Sequence, residues 1–126
     1  MRLFNQKIWS GTAASTEVFT DPDINALLGS ADLLAIHAHT NRATGTTTKL
    51  LVNFYHSADN KNWILLTSPA QYISATLVAG AVNDLQVLVE SLSGTSSRLG
   101  FVRLGILCSG TTPEVDVEIY ATGRGF

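Results

Sequence analysis

Cysteine, charge and long apolar runs are all scarce in this chain of 126 residues. A lone cysteine, Cys108, rules out an internal disulfide, and the absence of a disulfide framework fits manufacture in a reducing compartment. Lys and Arg number 8 against 10 Asp and Glu, a net charge of -2 with no basic block anywhere. That balance argues against a nucleic-acid binder, which needs a basic stripe to meet phosphates. No run of about 18 apolar residues exists to make a membrane span. Met1 to Lys7 contains no apolar stretch of the kind a signal peptide needs, so secretion is not expected. Also missing are a Gly-rich phosphate loop and a Gly-x-Ser-x-Gly nucleophile elbow. Those absences make an enzyme the weaker class, and no cofactor is expected.

Hydroxyls take the place of charge: Ser and Thr make up roughly a fifth of the chain, above ordinary usage. Period-two alternation runs through much of the rest. Val115, Val117, Ile119 and Ala121 alternate with Glu114, Asp116, Glu118 and Tyr120, which predicts a strand with one buried and one wet face. Val102, Leu104, Ile106 and Cys108 alternate with Phe101, Arg103, Gly105 and Leu107, so both faces carry apolar residues and the strand should be central or covered twice. Cys108 itself reads as a small buried apolar residue. Leu50, Val52 and Phe54 lead into the turn formers Ser57 to Asn62, and Trp63 to Leu66 should return as a strand with Trp63 anchored on the core. Further strands are expected at Leu33 to Thr40, Ser15 to Thr20, Tyr72 to Val78 and around Leu85 to Val89. One short helix fits between Asp21 as cap, Pro22 as first residue and Gly29 as terminator, with Ile24, Leu27 and Leu28 as its apolar stripe. About eight strands without intervening helices predict an all-β fold, an antiparallel β-sandwich of jelly-roll-like form. Residues 15–126 would make that single domain. Residues 1–14 would be an N-terminal arm or an edge strand, because Leu3, Phe4, Ile8 and Trp9 suit either docking onto a partner or packing on the chain's own sheet.

Candidate chemistry is thin. His37 and His39 would share one strand face in the His-x-His geometry of a metal site, with His56 as a third ligand if its strand lies alongside. No Glu follows in Thr40 to Thr44 and no histidine occurs after His56, so the cupin metal pattern is incomplete, and the simpler reading is a pair of surface or subunit-contact histidines. No metal is expected. Glu114, Asp116 and Glu118 form an exposed acidic row best read as solvated or paired with a neighbour.

Tyr55-His56-Ser57-Ala58-Asp59-Asn60-Lys61-Asn62-Trp63 is the most informative stretch. It resembles the Ser-x-Asp-Gly-x-x-Trp hairpin of β-sandwich modules, with Asn60 where Gly is usual. Ser57 and Asp59 can bond turn amides, and Asn60 tolerates the left-handed conformation. Two families share that hairpin. One is the discoidin or galactose-binding-like group of carbohydrate binders, whose Arg-flanked strand Arg98 to Leu104 also resembles. The other is the small virion proteins of tailed phages, including capsid decoration (cement) proteins. The segment Ile24 to Leu33, the linker Gly45-Thr46-Thr47-Thr48 and the hairpin are similar to theirs in type and order over Asp23 to Leu66. This second resemblance implies a structural protein of a bacteriophage virion. It would be assembled in the host cytoplasm, sit on the capsid exterior and bind the major capsid protein, without nucleic acid or membrane. A homotrimer is expected, since capsid lattices offer threefold positions. Leu3, Phe4, Ile8, Trp9 and Phe126 are the interface candidates. The alternative is a carbohydrate-binding module with glycan as ligand; the third reading is a cupin-like metalloprotein.

Overall fold

The computed structural model describes residues 2–30, 33–65, 72–77, 82–89 and 100–125. In chain order the elements are β1 (Arg2–Ala13), β2 (Val18–Phe19), a 3-10 turn (Pro22–Ile24), α1 (Asn25–Ser30), β3 (Leu33–Arg42), β4 (Thr44–Ser57), β5 (Ile64–Leu65), β6 (Tyr72–Thr76), β7 (Val82–Val89) and β8 (Phe101–Gly125). All strand pairs among these residues are antiparallel, and the fold is all-β with one short helix.

β8 organises the molecule. Its N-terminal half pairs with β4 and β2, and β4 also carries β5 and β6. Its C-terminal half lies between β1 and β3, and β3 carries β7. These are termed the first and second sheets. The chain changes sheet at two adjacent places. β8 passes through Gly110 (φ 127°) and Thr112 (φ 45°), and β4 begins with two register shifts around Thr46, opposite Glu114 to Ser109. Extra residues of this kind bend a strand and sharpen its twist, which is how one strand serves two sheets. Gly45 (φ 93°) is required there twice over, because a Cβ would also press on the carbonyls of Thr111 and Thr112.

The alternation read in the sequence sorts inside from outside. Leu50, Val52, Phe54, Val102, Leu104, Ile106 and Cys108 from the first sheet meet Ile36, Ala38, Val115, Val117, Ile119 and Ala121 from the second in one hydrophobic core. Burial pushes the Cys108 thiol pKa up, as expected of a core residue rather than a nucleophile. Leu28 of α1 closes the core beside β8. Asp21 caps the 3-10 turn by accepting from the Asp23 amide at 2.9 Å, with Pro22 following.

Four expectations are corrected. Gly29 does not end the helix. It lies inside α1, which runs to Ser30, and it is glycine because a Cβ would collide with the Gly100 carbonyl. The segment Ser15 to Thr20 supplies only the two residues of β2. Of the expected return strand Trp63 to Leu66, only Ile64–Leu65 is strand among the described residues, and both are exposed. Ile8, taken as an interface candidate, is buried in the core, on a β1 that pairs with β8 from Arg2 to Ala13. Trp9 is half-buried against the same core. The side chains of Leu3 and Phe4 and the whole of Leu66 and Phe126 lie outside the described residues, as do the side chains of Leu85, Val87 and Val89.

Candidate functional site

The outward face of the first sheet is as distinctive as its buried face. By strand parity it displays Leu51, Asn53 and Tyr55 from β4 and Phe101, Arg103, Gly105 and Leu107 from β8, aligned as Leu51 with Leu107, Asn53 with Gly105 and Tyr55 with Arg103. β2 adds Phe19 opposite Gly105. Its position is fixed by Thr20, whose amide donates to the Leu104 carbonyl at 3.1 Å and whose buried Oγ1 accepts from the Leu104 amide at 3.1 Å. Gly105 leaves a hollow in the sheet, and the Glu17 carboxylate occupies it; a Cβ at 105 would strike that carboxylate. Glu17 accepts from the Tyr55 hydroxyl at 2.9 and 3.0 Å and from Asn53 Nδ2 at 3.0 Å. Burial, followed by this bond to a carboxylate, raises the Tyr55 pKa.

Arg103 sits at the centre. Its guanidinium carbon lies 3.7 Å from the Phe19 ring centroid, 4.5 Å from Trp63 and 5.6 Å from Tyr55. Phe19 and Tyr55 meet edge to face at 5.8 Å. Cation–π attraction therefore holds the head group, and Nε is buried without a hydrogen-bond partner. Burial lowers the Arg103 pKa, a shift opposed by Tyr55 and Glu17. Trp63 is thus not the core anchor expected of it. The pairing of Tyr55 with Leu65 sets Leu65, and Trp63 two residues before it, on the outward side with Arg103. The patch is edged by Phe19 at 38% and Leu65 at 43% exposure, both large apolar side chains open to solvent, while Ile64, at 58%, is exposed on the opposite side of the sheet edge beside His56. The patch's hydroxyl–carboxylate pair, Tyr55 with Glu17, is bonded to itself across the sheet. Aromatics with a central Arg are the composition enriched where proteins meet proteins.

The turn beside it is rigidly built. Ser57 is fully buried and its hydroxyl donates to Asp59 Oδ1 at 2.8 Å. The same oxygen accepts from the amides of Lys61 and Asn62, each at 2.9 Å, and Oδ2 accepts from Asn62 Nδ2 at 2.7 Å. Those bonds, the two amides foremost, hold the Asp59 carboxyl well below the usual carboxylate range. Asn60 adopts the left-handed conformation (φ 61°), and its Oδ1 accepts from Asn25 Nδ2 at 2.9 Å, tying the turn to α1. Ser57 and Asp59 therefore fix the frame from which Trp63 reaches Arg103.

The second sheet's outer face is different in kind. His37 and His39 do share a face, with rings 4.0 Å apart, and His39 meets the Tyr120 ring edge-on at 5.5 Å. His39 and Tyr120 border a groove of about 590 Å³ that Ser10, Thr12, Asp116 and Glu118 help to line. Thr12 donates to Asp116 at 2.6 Å and Tyr120 to Glu118 at 2.9 Å, so two of the three carboxylates of the acidic row are held within their own sheet. His56 does not join the pair. It belongs to the first sheet and is nearly buried, and burial lowers its pKa. Among the described residues no three His, Cys, Asp or Glu side chains are placed to hold a metal ion.

Sequence reasoning missed Glu17, Phe19 and Arg103 as a unit. The available signal was a charged residue at Arg103 on a strand otherwise apolar on both faces, with a glycine two residues on. No family model matches the chain, and no curated protein matches it.

Proposed function

We propose that the protein is a non-enzymatic assembly module, a decoration protein of a tailed-phage capsid in the form of a small jelly-roll-like sandwich. It docks through the outward face of its first sheet. The observation that carries this reading is the double-sided apolar character of the β4–β8 pair. One side is the core. The other presents Phe19, Tyr55, Trp63 and Arg103 beside the exposed Leu65. An exposed patch of aromatic and aliphatic side chains marks a contact surface. The function is then mechanical: a stiff unit that buries this face across neighbouring capsid subunits opposes their separation. At about 25 cal/mol per Å² of apolar area, one such contact is worth several kcal/mol before association costs. Repetition over a closed shell multiplies the effect. A homotrimer and a place on the capsid exterior belong to the same proposal.

A second reading, glycan binding, is favoured by the second sheet's groove, where carboxylates and hydroxyls stand beside the Tyr120 and His39 rings. Co-sedimentation of the purified protein with undecorated phage capsids, set against binding to a glycan array, separates the two. Saturable capsid binding without glycan retention supports the assembly module, and the reverse result replaces it with a lectin.

A further inference from the structure

We propose that Arg103 is a receptor for a single carboxylate carried on an apolar segment of the partner protein, an Asp or Glu flanked by aliphatic side chains. The inference rests on the reading of this face as a docking face and names what docks there. Three observations carry it. First, the guanidinium packs on the rings of Phe19 and Trp63, and its Nε makes no hydrogen bond. Stacking occupies the faces of the planar fork, so an incoming acceptor can meet it only along its edge, at the Nη end beyond the buried Nε. Second, among the described residues no carboxylate lies within ion-pair distance of Arg103, and its buried Nε has no acceptor. Glu17, the nearby anion, is turned to Tyr55 and Asn53 instead. Glu17 and Tyr55 offset only part of the cost of burying this cation, and a further acceptor would complete it. Third, the surroundings select the ligand. Phe19 and Leu65 offer apolar contact on the same face. One guanidinium with Glu17 close by suits a monoanion; a phosphate dianion requires further cationic or amide donors.

Solution NMR tests this on the full chain, because a buried Arg103 Nε–H gives a protected signal. The probes are two blocked tripeptides, N-acetyl-Leu-Asp-Leu-amide and its Asn counterpart. The Asp peptide is expected to shift the Arg103 Nε–H signal saturably and to bind about tenfold tighter than the Asn peptide, the difference between a charge-assisted and a neutral hydrogen bond. R103Q is expected to abolish the preference. Should R103Q not fold, the Asp and Asn peptides compared on the unaltered protein still decide. Equal response to the two peptides overturns the proposal, as does a response confined to His37 and His39. An equal shift by inorganic phosphate overturns the carboxylate assignment. A shift driven by protein concentration alone makes a second copy the occupant and overturns it too. Asp preference without capsid binding keeps the receptor and removes the particle. Capsid binding without Asp preference does the opposite.

Discussion

Along β8 the N-terminal half turns Arg103, Gly105 and Leu107 outward, and the C-terminal half turns Glu114, Asp116 and Glu118 outward. The inward residues of the two halves are interchangeable in kind, all small or aliphatic. The outward ones are not. On the first sheet a lone cation is clamped by rings and an anion fills a hollow made by a missing side chain. On the second, each of two carboxylates takes a hydroxyl from its own sheet. One strand thus carries an outward stretch of packed rings and a cation and an outward stretch of carboxylates, and the distinction lies entirely in residues that do little for the core.

That contrast predicts a gradient of stability effects. The largest belongs to the shared interior: Phe54→Ala, at a fully buried site, should cost about 3–5 kcal/mol in urea unfolding. Trp63→Ala should cost far less, about 1–2 kcal/mol, since it removes a cation–π contact and a half-buried ring rather than a core anchor. A loss as large as that of Phe54→Ala would return Trp63 to the interior and erase the difference between the faces.

Acid should act on the first sheet in two stages. The folded pKa of His56 is lowered, so the unfolded chain takes up the proton first. Stability is therefore full above the unfolded value of 6.5 and declines as pH falls below it; His56→Gln should flatten that decline. Asp59 is likewise depressed, so its contribution is full above the unfolded value of 3.8 and fades as pH falls below that; Asp59→Asn should remove this later stage. Unfolding curves measured across pH separate the two. The smallest effect is expected on the second sheet, where Glu118→Gln should change stability by no more than about 0.5 kcal/mol. A loss of several kcal/mol there would show that the acidic row is structural.

The interior was legible because burial imposes period two on local sequence: Leu50, Val52, Phe54 and Val115, Val117, Ile119 announce their side without knowledge of any partner strand. The contact face was not, because its members come from distant places. Glu17 and Phe19 precede Tyr55 by more than thirty residues and Arg103 follows it by nearly fifty, and only strand pairing brings them together. Trp63 was misplaced for a related reason. Its side of the sheet depends on the register of the hairpin, set by the Asp59 turn, and a shift of one residue would have turned it inward. Ile8 and Trp9 left the choice between arm and edge strand open because a β-bulge between Lys7 and Trp9 breaks their alternation.

The central claim is that the first sheet's outer face makes the contact and the second sheet's does not. Quantitative capsid co-sedimentation of Leu65→Glu and Thr122→Glu, each an added charge at an exposed site on one of the two sheets, tests it most directly. The account predicts that Leu65→Glu abolishes binding while its melting curve stays near that of the unaltered protein, and that Thr122→Glu binds normally. Normal binding by Leu65→Glu together with loss by Thr122→Glu would place the contact on the second sheet and contradict the account.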